Sequence, residues 1–264
     1  MILRAPPPAP DAFHGDTGPF DLIGDVHGCA GELETLLQQL GYRLDMDGPA
    51  GRRDYEIEHP EGRKPVLLGD LVDRGPRTPD VMRLAMHLVG SGRGYCVVGN
   101  HDDKFRRWLA GRKVAISHGI QTTIEQFENE PDAFHGEVAR FIDALPSHLV
   151  LDRGALVVAH AGVHADMHGE ESSRVRAFAM YGEVTGERDR HGLPVRRDWA
   201  RRYSGEATVV HGHVAEPEIR ERNNVVCVDT GCVFGGQLTA MRWPEREIVQ
   251  VPAEQTWFSS PRWG

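Results

Sequence analysis

The feature that most limits the fold is a repeated one: a short apolar run, a turn, and then a side chain able to bind a metal. Phe20–Gly24 runs into Asp25, Pro65–Gly69 into Asp70, and Gly94–Gly99 into Asn100. Ala155–Ala159 ends at His160, Thr208–Val210 at His211-Gly212-His213, and Val225–Val228 at Asp229. Short apolar runs bounded by turn residues and rich in β-branched side chains read as strands. Helical spacing follows the first three, over Glu32–Leu40, from about Thr78 to Val89, and from Asn100 through Trp108. Strands alternating with helices predict an α/β fold. In such folds ligands collect at the carboxyl ends of the strands, which is where all six candidate ligands fall. The glycines let the backbone turn sharply and approach the site.

Three stretches interrupt the rhythm. Gly41–Lys64 is polar and reads as a hairpin or loop. Asp103–Ser147 is helical in character and holds no strand, so a helical cap over about 103–147 is expected beside the site. Gly169–Ser204 is rich in charge and glycine and reads as a long ordered insertion. Residues 1–19 carry five prolines and read as a flexible tail ahead of a single domain spanning 20–264. The tail lacks the apolar stretch of a signal peptide, and no apolar run approaches the roughly 20 residues of a membrane span. A cytoplasmic protein with no membrane partner is expected. The formal charge of −9 disfavours duplex DNA, which needs a basic surface, but leaves room for a small nucleotide or a nucleic-acid end. Cys29, Cys96, Cys227 and Cys232 form no Cys-x-x-Cys pair and read as buried small hydrophobes in a reducing compartment.

The motifs in order are Gly24-Asp25-Val26-His27-Gly28, Gly69-Asp70-Leu71-Val72-Asp73-Arg74-Gly75, Gly99-Asn100-His101-Asp102, His160-Ala161-Gly162 and His211-Gly212-His213. Gly-Asp turns are common, and a lone histidine after a strand is usually structural. All five together point to phosphate-ester hydrolysis. That reaction needs a hydroxide at neutral pH and a way to spread charge, and two metals a few ångströms apart supply both. A bridging carboxylate must sit centrally, which suits Asp70. Mixed Asp, His and Asn ligands favour manganese, iron, nickel or zinc over calcium, with manganese the first expectation.

These motifs resemble the calcineurin-like metallophosphoesterases, in the branch holding Ser/Thr protein phosphatases and bacterial diadenosine-tetraphosphatases. Further segments resemble the phosphatase domain of bacterial polynucleotide kinase-phosphatase: Thr78–Arg83, Ser117-His118-Gly119-Ile120, Tyr181–Gly186, Gly192–Arg196 and Asp229–Gly236. The resemblance covers about Phe20 to Pro252. It implies an αββα sandwich of two mixed β-sheets flanked by helices. It also implies one ion on Asp25, His27 and Asp70, and a second on Asp70, Asn100, His160 and His213. Arg74 would grip phosphate oxygens, and His101 would be the general acid, oriented and charged by Asp73. Many members end the last motif in Gly-His-x-His; here Ala215 stands at the second histidine, and Asp229 is expected to fill the gap directly or through water.

Other polar residues carry two readings. Asp102 either pairs with His101 in place of Asp73 or, as the favoured reading, caps the helix that starts beside it. His211, two residues before His213, reads as structural. His118, in the expected cap, is either loop-forming or a substrate contact. His164 and His168 read as solvated loop residues. Arg196, Arg197, Arg201 and Arg202 form a charge run that is solvated or steers a polyanion. The expected activity is a dinuclear metal-dependent phosphoesterase using a metal-activated hydroxide. It would act on phosphomonoesters and extend to diesters or dinucleoside polyphosphates. A protein Ser/Thr phosphatase is the alternative; the expected cap leans toward a small substrate.

Overall fold

The computed structural model describes residues 7–190, 194–260 and 263. The first six residues of the expected tail, and Gly192 and Leu193 of the 192–196 motif, lie outside the described residues. Strands are numbered along the chain. The first five-stranded sheet holds β1 (Phe20–Ile23), β4 (Lys64–Leu67), β5 (Tyr95–Cys96), β13 (Gln237–Trp243) and β14 (Ile248–Pro252), in the order β14-β13-β1-β4-β5. The second holds β6 (His148–Leu151), β7 (Leu156–Ala159), β10 (Thr208–His211), β11 (Arg220–Arg222) and β12 (Val225–Cys227), in the order β11-β12-β10-β7-β6. Within the first sheet β1, β4 and β5 are parallel, and within the second β7, β10 and β12 are parallel. These six are the strands read from the sequence. The remaining strands of both sheets are antiparallel additions.

Burial on both faces explains why the parallel strands are almost wholly apolar. Successive side chains point to opposite faces. Leu22, Val66, Val158, Val210 and Val226 fill the space between the sheets. Their neighbours Ile23 and Leu67 face outward to the first helical layer. Val157, Val209 and Val225 face outward on the other side, toward Trp199 and Tyr203. Each such side chain, fully buried, stabilises by about 1.5–3 kcal/mol.

The first outer layer contains α1 (Ala30–Leu40) and α2 (Thr78–Gly90). In α1, Leu33, Leu36, Leu37 and Leu40 recur at helical spacing and are all buried. It ends at Gly41, whose φ of +100° permits the left-handed turn that lets Gly41 and Tyr42 N–H groups reach the last carbonyls. The Gly41–Lys64 stretch forms a hairpin of β2 (Arg43–Asp47) and β3 (Asp54–Glu58). Asp80 of α2 holds it by accepting from Gly51 N and Arg53 N.

The 103–147 segment supplies most of α3 (Asn100–Leu109), and α4 (Ile120–Phe127) and α5 (Asp132–Ala144). Phe105, Phe127, Val138 and Ile142 pack into the same core as α1 and α2. The helices therefore extend the outer layer, because their apolar stripes need the sheet side to be buried. From this segment the connection 110–119 reaches the site at His118 and Gly119, and Thr123 of α4 accepts from Asp73 N at 2.8 Å. The 169–204 segment contributes α6 (Ser173–Tyr181) and a hairpin of β8 (Val184–Arg188) and β9 (Pro194–Arg196). Residues 7–19, expected as a tail, run along the edge of the second sheet. Val150 N donates to Pro10 O, Arg153 N to His14 O and Asp152 N to Asp16 O. No helix among the described residues is long and apolar enough to cross a membrane.

Candidate metal centre

The six parallel strands end at one rim, and their loops converge across the two sheets. Asp25 and His27 follow β1, Asp70 follows β4, and Asn100 opens α3 after β5. His160, His213 and Asp229 follow β7, β10 and β12. His27, Asp70 and His213 sit at φ of +45°, +47° and +71°. Asp73, Arg74 and His118 are also left-handed, at +75°, +73° and +60°. Such a conformation costs a non-glycine residue about 1–3 kcal/mol, so the surrounding contacts must hold these loops in place.

Those contacts are specific. Asp102 is fully buried, and its carboxylate accepts from Leu71 N and Gly99 N, both at 2.9 Å. It caps α3 as expected and also ties the Asp70 loop to the Asn100 loop. Two glycines make room for carboxylates. A β-carbon at Gly99 would lie 2.2 Å from Asp70 Oδ1, and one at Gly212 would lie 2.0 Å from Asp25 Oδ1. At both positions the close approach expected of the site glycines is what the carboxylates require.

His27 Nδ1 faces Val72 O at 2.8 Å, and His160 Nδ1 faces Leu68 O at 3.0 Å. Each ring thus donates from Nδ1 and aims the Nε2 lone pair inward. Asp70 Oδ2 lies between them, 3.6 Å from His27 Nε2 and 3.4 Å from His160 Nε2. His160 Nε2 also lies 3.1 Å from Asn100 Oδ1 and 3.0 Å from His213 Nδ1. Asp25 accepts from His213 N at 3.1 Å with both oxygens. Donor atoms of His27, Asp70 and His101 fall within 4.8 Å of one another, as do those of Asp70, His160 and His213. Asp70 belongs to both groups.

Electrostatics make the same point. Burial, with Asp229 and Asp70 beside it, raises Asp25 well above the carboxylate range. Burial pushes Asp70 up to about 7 and Asp229 up to about 6. Burial also holds His160 down to about 4, and lowers His27 and His213 well below the usual imidazole range. Neutral imidazoles therefore face carboxylates whose charge burial disfavours, and a divalent cation among them would restore the carboxylate form. The donor set fits metal ions.

Arg74 projects between the rings. One guanidinium nitrogen lies 2.6 Å from His27 Nε2 and the other 2.9 Å from His101 Nε2. Its Nε donates to His118 O at 3.2 Å, its backbone N donates to Gly119 O, and the Phe234 ring lies 5.1 Å away. His118 thus holds Arg74 through its carbonyl, while its own side chain is exposed at the rim. Sequence reasoning missed this role and the aromatic support. His101 Nδ1 meets Asp73 Oδ2 at 2.5 Å. Burial together with Arg74 and Lys104 lowers the His101 pKa, which outweighs the rise expected from Asp73. Asp73 is fully buried, and burial raises it to about 7.

Asp229 Oδ1 accepts from Gly231 N at 3.1 Å, capping the turn, while its charge bears on Asp25. His211 is buried, and its ring lies 5.6 Å from that of Trp199. His164 and His168 are half-buried against aromatic rings, at Phe178 and Tyr203 respectively, rather than solvated. The arginine run is largely neutralised. Arg197 and Arg202 pair with Glu183, and Arg201 pairs with Asp198.

The sequence profile of the calcineurin-like phosphoesterases matches residues 18–217. The chain belongs to this family. Calcineurin-like phosphoesterases use a dinuclear divalent metal site, and this member is a phosphoric ester hydrolase. It is similar to proteins named bis(5'-nucleosyl)-tetraphosphatase PrpE [asymmetrical]. The one from Anoxybacillus flavithermus is 42% identical over 238 residues, covering 89% of this chain and 94% of that protein. The one from Bacillus subtilis shows the same identity and coverage. Among solved structures, a candidate diadenosine tetraphosphatase is 25% identical with a TM-score of 0.62, covering 90% of this chain and 94% of that one. A Saccharomyces cerevisiae protein serine/threonine phosphatase shares the fold, with a TM-score of 0.55 at 11% identity over 93% of this chain and 82% of that one.

Proposed function

We propose that this phosphoesterase hydrolyses dinucleoside polyphosphates, with two ions bridged by Asp70. The observation that carries the two-ion reading is that both donor groups share that one carboxylate. The substrate reading rests on relatives 42% identical along nearly their whole length that bear the tetraphosphatase name. Asp25, His27 and Asp70 would hold one ion, and Asp70, Asn100, His160 and His213 the other, with Asp229 supporting the first directly or through water. Manganese is the ion we favour for this mixed imidazole, carboxylate and amide set. Ions held there supply Lewis acidity toward phosphoryl oxygens and acidify water.

The chain's own residues do the rest. Arg74 exchanges its imidazole contacts for two phosphate oxygens, which its flat fork matches. Phosphate negative charge beside His101 favours the imidazolium, whose Nε2 proton passes to the leaving oxygen. Asp73 keeps the other ring proton on Nδ1. The four cysteines are free and buried, which agrees with a cytoplasmic location.

The deciding measurement is a rate panel with added manganese: diadenosine tetraphosphate, a 2′,3′-cyclic nucleotide, a 3′-phosphorylated oligonucleotide and a phosphopeptide. Diadenosine tetraphosphate should give the highest kcat/KM. Preference for the oligonucleotide end would assign the enzyme to nucleic-acid ends, and preference for the phosphopeptide to protein dephosphorylation.

Two variants test individual roles. Arg74→Lys should lose about 10²-fold in kcat/KM with metal content intact, since a point charge cannot reproduce the two-pronged grip. Wild-type kcat/KM in that variant would remove Arg74 as the clamp. Asp229→Ala should weaken metal affinity, read by manganese titration of activity. Unchanged affinity and rate would reduce Asp229 to its cap on Gly231.

A further inference from the structure

A second cluster of metal- and redox-competent side chains lies outside the catalytic groups. Cys29, Cys232 and Glu32 are all buried, with their sulfur and carboxylate atoms within 4.8 Å of one another. Both thiols are free. Each sits at the foot of a site loop. Cys29 follows His27 by two residues, and its Sγ lies 3.8 Å from His27 O. Cys232 lies in the turn after Asp229, two residues before Phe234, whose ring supports Arg74 at 5.1 Å. Glu32 does not open the cluster to solvent. Its Oε1 accepts from Glu254 N at 3.1 Å and Trp257 Nε1 at 2.8 Å. Trp257 N and Phe258 N both donate to Val233 O. The chain from 253 to 258 is thus a strap over the thiols, held by these hydrogen bonds and by Ala253, Trp257 and Phe258 packing against the core.

We propose that Cys29 and Cys232 are an oxidative modification site, closing to an intramolecular disulfide that reversibly inactivates the enzyme. The oxidant is a low-molecular-weight disulfide. One protein thiolate attacks it, forming a mixed disulfide and releasing one small thiol. The second protein thiolate then attacks the protein sulfur of that mixed disulfide and releases the other small thiol. Two protein thiols are oxidised, one small disulfide is reduced to two thiols, and the two protons leave with them. Bringing the sulfurs to bonding distance, about 2 Å, draws the Gly28–Cys29 turn against the Gly231–Val233 turn. His27 and the Phe234 support of Arg74 move with them. Misplacement of that order lowers rates by about 10²-fold in well-built sites. The strap sets the pace, because the thiols react only when it lifts.

The test treats manganese-loaded enzyme with oxidised glutathione, blocks remaining thiols with an alkylating agent after unfolding, and maps the peptides. The expected product is a Cys29–Cys232 cross-linked peptide, with Cys96 and Cys227 alkylated. Activity toward p-nitrophenyl phosphate should fall at least about tenfold and return with dithiothreitol. Relative to its own untreated rate, Cys232→Ser should be insensitive to the oxidant, while Cys227→Ser stays sensitive. Trp257→Ala, which loosens the strap, should speed cross-linking. Recovery of Cys29 and Cys232 as alkylated thiols under conditions that oxidise a control dithiol would overturn the site. So would a cross-link that leaves the rate unchanged, or equal inhibition of Cys232→Ser.

Discussion

Asp70→Asn should leave a folded protein with at least about 10³-fold less activity, because the change removes charge at the one carboxylate common to both donor groups. The amide is close in size to the carboxylate, and its oxygen can still accept from His101 N, a contact of 2.9 Å in the native chain. The loops should therefore keep their places. What changes is Oδ2, which stands between His27 Nε2 and His160 Nε2. A neutral amide there cannot balance two divalent charges. Asp70→Ala goes further and leaves nothing between the two histidines. Elemental analysis of Asp70→Ala should find less metal than in variants of His27, Asn100 or His213, each of which would hold one ion only. Full metal occupancy in Asp70→Ala would sink the bridging assignment, whatever the rate.

For His101→Ala the expected result depends on the leaving group. An alkoxide needs a proton in the transition state, and a positioned acid contributes about 10²–10⁴-fold. Hydrolysis of a sugar 3′-phosphate should fall by that amount. A nitrophenolate leaves without help, so p-nitrophenyl phosphate should be hydrolysed with a far smaller loss. The structure sharpens this contrast. His101 Nε2 is the atom that faces the Arg74 guanidinium, at 2.9 Å, and Nδ1 is committed to Asp73 at 2.5 Å. Only Nε2 can give its proton to substrate. Asp73→Asn should show the same pattern in weaker form, since Asp73 touches the imidazole and not the substrate. Equal losses on both substrates, at saturating metal, would leave His101 as a phosphate-binding group.

What the sequence made legible follows from where the constraints are local. The six parallel strands are short, apolar on both faces and closed by turns, so each could be read from its own residues. β13 could not. Gln237, Thr239 and Arg242 interrupt its apolar residues, and its place beside β1 comes from long-range pairing. Residues 7–19 read as a tail because they lack apolar periodicity; their anchors are backbone hydrogen bonds to residues 150–153, Phe13 against Tyr95, and Asp16 with Lys64 and Tyr95, which no local pattern announces. The helices of 103–147 were legible as helices, but which surface they cover depends on the sheet beneath. In the site, ligand types were legible because chemistry fixes them. The second roles of Asp102, of the His118 carbonyl and of Gly99 depend on distances between distant loops.

The convergence of loops from both sheets has a mechanical consequence. Asp25, Asp70 and Asn100 belong to one sheet, and His160, His213 and Asp229 to the other. Between the sheets lies an aliphatic layer that includes Leu22, Val66, Val158 and Val210. Ions at the rim would act as rivets between two plates whose spacing that layer sets. Shaving the layer far from the rim, as in Val158→Ala, would then loosen ion binding without touching a ligand. By the same linkage, occupancy would raise the melting temperature of the whole sandwich, by an amount set by ion concentration over Kd. The hydrophobic core would then be part of the gauge that sets how well the ions fit.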